Sequence, residues 1–213
     1  SAIAPAAGEN DLLRESAEWR LLGLLFECPS PQWSEQITSL AAEVSDAGLK
    51  AATEAAQQEA TEGLFHWIFG PGGPAPGREI SYRNWTQPGY LLAELSSYYQ
   101  AFGFQPAMLE APDHVSVEAA FIAYLRFKEA YALARGDDEH ASVTAEAARQ
   151  FINEHLSMMT ESLARSLEHS GVQYLGLAGK CLLARVGPKP EKAAGRSLPV
   201  ISDLLSSDDD ATE

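Results

Sequence analysis

Residues Glu110–Arg135 read EAPDHVSVEAAFIAYLRFKEAYALAR. From His114 onward no proline or glycine interrupts the run, and Val117, Phe121, Tyr124, Leu125 and Tyr131 recur at helical spacing. The pattern predicts a long helix over about His114–Arg135. Asp113 stands where an N-cap belongs: its carboxylate can accept backbone N–H bonds and meets the positive end of the helix dipole. Pro112 fixes the approach, and Glu118 falls in the second turn. A cap does not account for His114, which is neither a favoured capping residue nor an ordinary core residue and changes charge near neutrality.

The same period extends in both directions. Downstream, Val143, Ala147, Phe151, Ile152, His155, Leu156, Met159, Leu163 and Leu167 form the clearest amphipathic stripe, closed by Gly171, and a last helix is predicted over about Val172–Val186. Upstream, Asp11–Glu27 is apolar on a broad face and ends at Pro29-Ser30-Pro31. Ser30 and Pro31 read as the cap and first position of a second helix that runs to about Ala47, where Gly48 stops it. An alanine- and glutamate-rich helix over about Leu49–Phe65 and another over Tyr90–Phe102 complete the set. Alternating, period-two stretches are almost absent. The expectation is an all-α, single-domain helical bundle over residues 1–186, with an irregular Gly/Pro-rich loop at about 66–89. A polar C-terminal tail follows over 187–213, in which Leu198–Leu205 could dock as a short apolar segment.

The formal charge of −15 makes nucleic acid and anionic membrane surfaces poor partners and favours either solubility alone or something basic. No apolar run reaches about 18 residues, so stable membrane insertion is not expected. The opening residues lack a basic region followed by an apolar one, so no signal peptide is expected and the cytoplasm is the default. Asn84-Trp85-Thr86 fits a glycosylation acceptor but is idle without secretion. Cys28 and Cys181 belong to no C-x-x-C pair; buried free thiols are the simplest reading, and a disulfide between them stays open.

Catalytic templates are missing. There is no G-x-S-x-G, no G-x-x-x-x-G-K-[ST] and no G-x-G-x-x-G between strand and helix. The glycines of the stretch from Gly70 to Gly77 lack the Lys-Ser/Thr that would hold phosphate and magnesium. His114 and Glu118 are four apart and share a helix face, but alone they make an incomplete metal site. His155 lies on an apolar stripe, where a hydrogen-bonded core histidine is the ordinary reading. Together the three define an alternative: a metal-dependent hydrolase on a helical bundle.

Four segments in order, LFHWIFGPGGPAPGREISYR, LSSYYQAFGF, EAPDHVSVEAAFIAYLRFKEAYA and FINEHLSMMTESLA, resemble the TorD/DmsD/NarJ family over about Leu12–Ala184. The combination carries the resemblance: F-G-P, then Y-x-x-F-G-F, then P-D-H opening a long helix, then H-L in the next. The family comprises cytoplasmic chaperones dedicated to molybdenum oxidoreductases of the DMSO reductase class. The resemblance implies an all-helical domain without catalytic activity or cofactor. Such a domain binds the enzyme's catalytic subunit or its twin-arginine leader peptide until the molybdopterin cofactor is in place. Carried over by position, it points to Asp113 and His114, to Gly70, Pro71, Arg78 and Tyr82 in the loop, to Glu110 before the pair, and to Tyr99 on the preceding helix; Glu118 joins them as a carboxylate on the same helix. There are departures. The common order Glu-Pro-x-Asp-His appears here as Glu110-Ala111-Pro112-Asp113-His114. Met159 stands where an aromatic often follows, and Arg78 replaces a loop tryptophan of some leader-binding members. The FGPGGPAPGREISYR form looks closer to members serving multi-subunit respiratory enzymes. Monomer and homodimer both remain open.

Overall fold

The helical spacing becomes helix in the computed structural model, which describes residues 7–106 and 110–188. Nearly all of the expected tail, with Leu198–Leu205, lies outside the described residues. The elements in order are α1 (Ala7–Leu25), α2 (Trp33–Glu43), α3 (Ala47–Glu59), α4 (Glu62–Phe69), a 3-10 turn (Glu79–Tyr82), α5 (Pro88–Phe102), α6 (Val115–Ala134), α7 (Asp138–Phe151), a π-helical turn (Ile152–Leu156), α8 (Ser157–His169) and α9 (Gln173–Val186). The fold is an all-α single-domain bundle. Among the described residues no helix is long and apolar enough to cross a membrane.

Several helix ends differ from expectation, each for a local reason. Ser30 does not cap α2. It accepts from Trp33 N in a turn, and the helix starts at Trp33, whose indole donates to the Leu24 carbonyl at 2.7 Å. Gly48 does not stop α2 either. That helix ends before Val44, and Asp46 caps α3 by accepting from Leu49 N. Gly48 sits inside α3, where a Cβ would lie 2.8 Å from the Cys181 sulfur. The glycine serves a close approach to α9, not a helix stop. The expected helix to Phe65 breaks at Ala60, and Thr61 caps α4 through Leu64 N.

α6 is central. Every residue from Val115 to Ala123 is buried, so its stripe widens to the whole circumference, as for a helix enclosed by neighbours. α1 packs along it: a Cβ on Gly23 would lie 3.1 Å from Ser116 O, and Ser16 Oγ donates to Ala123 O at 2.7 Å. α7 also packs on α6, and α9 packs against α3 and α8. α5 is held by aromatic side chains: Tyr99 meets Phe121 at a centroid distance of 4.9 Å, and Tyr98 meets Phe151 at 5.3 Å. The amphipathic stripe of 143–167 is one rod in which the π turn inserts an extra residue between α7 and α8 and buries His155 and Leu156.

Candidate functional site

The Gly/Pro-rich segment after α4 folds back instead of hanging free. Gly70 N donates to His66 O as α4 ends, and Ala75 N returns to Ile68 O. The chain then runs antiparallel to the start of α6. Glu79 N donates to Asp113 O at 2.8 Å and Val115 N to Gly77 O at 2.9 Å, with Arg78 paired to His114 in an isolated bridge. Gly77 is required here, because a Cβ would fall 2.2 Å from His114 Nε2. Side chains reinforce the stitch. Arg78 Nε donates to Asp113 Oδ1 at 2.8 Å, Ile80 N to Asp113 Oδ2 at 3.3 Å, and Tyr99 OH to Pro112 O at 2.8 Å. Tyr82 OH ties the loop to itself through Pro76 O at 2.7 Å; burial pushes its pKa up to about 12, so it stays a donor.

The helix cap falls one residue later than the sequence suggested. His114, not Asp113, is the N-cap of α6, and its Nδ1 accepts from Ser116 N. Asp113 is left free to turn its fully buried carboxylate to the loop. The His114 ring packs against Phe65 and Phe69, with centroids 6.3 and 5.6 Å away. Burial, aided by the nearby Arg78 charge, lowers its pKa to about 4, so the imidazole is neutral at pH 7.

Behind the stitch lies a second polar layer. Glu79, fully buried, accepts from Arg83 Nε at 2.5 Å and faces His155 Nδ1 at 3.1 Å. Arg83 also donates to the Glu154 carbonyl, which belongs to the π turn. Glu118 is fully buried as well. Burial first, then the charges of Glu79 and Asp113, raise its pKa well above the ordinary range. Glu118 is therefore held as a neutral acid. Burial raises the Tyr99 pKa well above the ordinary phenol range, so its hydroxyl stays a donor.

The fold thus brings Arg78, Asp113, His114, Glu118 and Tyr99 together, with Gly70 and Tyr82 on the attached loop. Pro71 is exposed at the loop's start, and Glu110 lies half-buried near His66. Glu79 escaped the sequence reading, and Arg83, though it marks the loop as more than a linker, was not among the expected site residues: an acid and a base in a Gly/Pro-rich loop look solvated. Their spacing of four was the available signal.

A family model described as "Nitrate reductase delta subunit" matches residues 30–165, well over half of the chain. The chain belongs to the nitrate reductase delta subunit family. This is a family of molybdoenzyme maturation chaperones that bind molybdoenzyme catalytic subunits, in keeping with the TorD/DmsD/NarJ resemblance. The matched span contains every residue of the stitch. No curated protein matches the chain.

In this delta-family chain the hydrolase alternative finds no support. His114 Nδ1 is used by Ser116 and His155 Nδ1 by Glu79. Among the described residues, the groups whose ligand atoms converge include neither His114 nor Glu118. The Asp113, His114 and Glu79 side chains of the stitch are buried, Arg78 reaches the surface, and large aromatic side chains stand exposed around it. Trp67, Trp85 and Tyr90 are exposed, all on or beside the stitched segment, and Trp85 is fully exposed with a left-handed φ of 64°.

Proposed function

We propose that this protein is a cytoplasmic, system-specific chaperone for the catalytic subunit of a DMSO-reductase-class molybdenum oxidoreductase. On this reading it binds that subunit or its twin-arginine leader, and assists cofactor insertion, assembly and export proofreading. It does so by binding alone, without catalysis. The client lies along the stitched segment, where Gly70, Pro71, Arg78 and Tyr82 form the edge and Glu110 offers an acid to a basic client. Asp113, His114, Glu118 and Tyr99 act from beneath as positioning residues that hold the segment in place.

One observation carries this reading: the exposed tryptophans Trp67 and Trp85 stand on or beside the segment that the buried polar network fixes. An apolar surface held rigid before binding loses little conformational freedom when a peptide docks, and tryptophan anchors dominate such interfaces. A leader supplies the complement, a basic end and an apolar core, to a protein of charge −15.

Calorimetric titration tests it with two ligands: a synthetic leader peptide carrying paired arginines and an apolar stretch, and the mature catalytic subunit. The double variant Trp67→Ser/Trp85→Asn should bind about thirtyfold more weakly, an anchor loss of roughly 2 kcal/mol, while melting at or above the wild-type temperature. Unchanged affinity for both ligands refutes the surface. The tighter-binding ligand decides between leader and mature segment.

A further inference from the structure

Cys28 follows α1 in a turn in which Phe26 N and Glu27 N bond back to Gly23 O and Leu24 O. α4 runs past this turn and presents Glu62 and His66, one helical turn apart. One ligand atom from each of Cys28, Glu62 and His66 lies within 4.8 Å of the other two, and His66 Nε2 stands 3.6 Å from Glu62 Oε1. A further carboxyl, Glu110, is near enough for its charge to act on Cys28 and to feel His66. Position 28, the helical pair 62 and 66, and position 110 are far apart in sequence, so only the fold assembles this set.

The donor types matter. A thiolate, an imidazole and a carboxylate form a mixed set that suits zinc in tetrahedral geometry, with S and N donors about 2.0–2.3 Å from the ion. Donors around such an ion stand somewhat closer together than 4.8 Å, and the exposed Glu62 and His66 side chains are free to close the difference. They are also uncommitted: apart from the Glu62–His66 pair, none of the three is drawn into the bundle's polar network. The other converging set, Glu94, Glu154 and His155, is different. There His155 Nδ1 faces Glu79, and the Arg83 guanidinium lies 3.5 Å from the same nitrogen, placing a fixed positive charge beside any ion. Near Cys181 the acids Glu18 and Asp46 are already paired with Arg185.

We propose that Cys28, Glu62 and His66 form a binding site for a zinc-class divalent cation, with Glu110 or a water as fourth ligand. The site clips the end of α1 to α4. Because α4 carries Phe65 and Phe69, which enclose His114, the clip braces the floor of the stitch. The inference stands apart from the client-binding reading, and neither needs the other.

Cobalt(II) is the probe. Titrated into metal-free protein, it should give a sulfur-to-cobalt charge-transfer band in the near ultraviolet and the visible bands of tetrahedral cobalt, both erased by one equivalent of zinc. Cys28→Ser should lose the charge-transfer band. His66→Ala and Glu62→Gln, both at exposed positions that leave the fold intact, should weaken zinc binding by more than about tenfold. Cys181→Ala should change neither band. In thermal melts zinc should raise the midpoint of the wild type and leave Cys28→Ser unmoved. Absence of the charge-transfer band, or its persistence in Cys28→Ser, overturns the site.

Discussion

The first half of α6 is buried on two sides by opposite means. Toward α1 it presents Ala119, Ala120 and the Ser116 carbonyl to Gly23, a seam made close by small residues. Toward the 70–87 segment it presents His114 and Glu118 to a set of buried charges and hydrogen bonds. The seam is held by shape, since dispersion and apolar burial reward any arrangement that fills space. The stitch is held by pairing: Asp113 finds both its partners, Arg78 Nε and Ile80 N, only if the loop lies in one register. Burying ions contributes little net stability, but leaving one unpaired is costly, so such a network penalises every alternative placement. A seam suits a scaffold, and a stitch suits a loop that must be presented in one shape.

Breaking the stitch at its most buried ion pair has the largest effect. Arg83→Met keeps the side-chain volume but leaves the Glu79 carboxylate, fully buried, with His155 as its remaining partner. The loss should be about 3–5 kcal/mol in denaturant melts. A loss under about 1 kcal/mol would mean that the two sides of α6 do not differ in kind.

The stitch is also sensitive to acid. His114 titrates near 6.5 when exposed and near 4 when folded. Between those values the unfolded chain holds a proton that the folded chain rejects, so stability falls as pH falls. The contribution is fully present above about pH 6.5 and declines by about 1.4 kcal/mol per pH unit, to a total near 3 kcal/mol at pH 4. Glu118 acts in the other direction. Its folded pKa is raised, so stability declines as pH rises above the ordinary carboxyl range toward the folded value. Urea melts across pH should show the acid slope in the wild type and lose it in His114→Asn, a residue that still caps. Glu118→Gln, a neutral donor of similar shape, should flatten the alkaline side. An unchanged acid slope in His114→Asn would assign the sensitivity to other groups.

The two sides were unequally legible in the sequence. The bundle was readable because apolar spacing is local: the stripe from Val143 to Leu167 is helix apart from one π turn. The stripe on α6 came out too narrow over its first half, which is enclosed all round, because Glu118 there and the capping His114 are polar and a polarity pattern leaves them off the buried face. Gly48 was misplaced because a glycine kept for contact with Cys181 looks the same as one that ends a helix. At the site, quoted motifs pointed to the meeting of the loop with Asp113 and His114, yet the cap was assigned to Asp113, the better cap by propensity. Its carboxylate is drawn away by Arg78, 35 positions earlier. The Glu79–His155 contact spans 76 positions and leaves no local trace.

The smallest effect lies on the seam and tests whether shape alone governs it. Gly23→Ala adds a methyl group 3.1 Å from Ser116 O and 3.4 Å from Ala120 N, both backbone atoms that cannot swing aside. Overpacking of this kind costs about 1–3 kcal/mol. Against it, alanine is favoured over glycine inside a helix by about 1 kcal/mol. The net loss should therefore be about 0–2 kcal/mol, smaller than at the stitch. It should also be the same at pH 5 and pH 8, because the atoms nearest the added methyl, Ser116 O, Ala120 N and Ala119 Cβ, belong to no titrating group. A Gly23→Ala loss that changes with pH would show that α1 transmits its packing to the polar side of α6, and the two faces would have to be treated as one coupled unit.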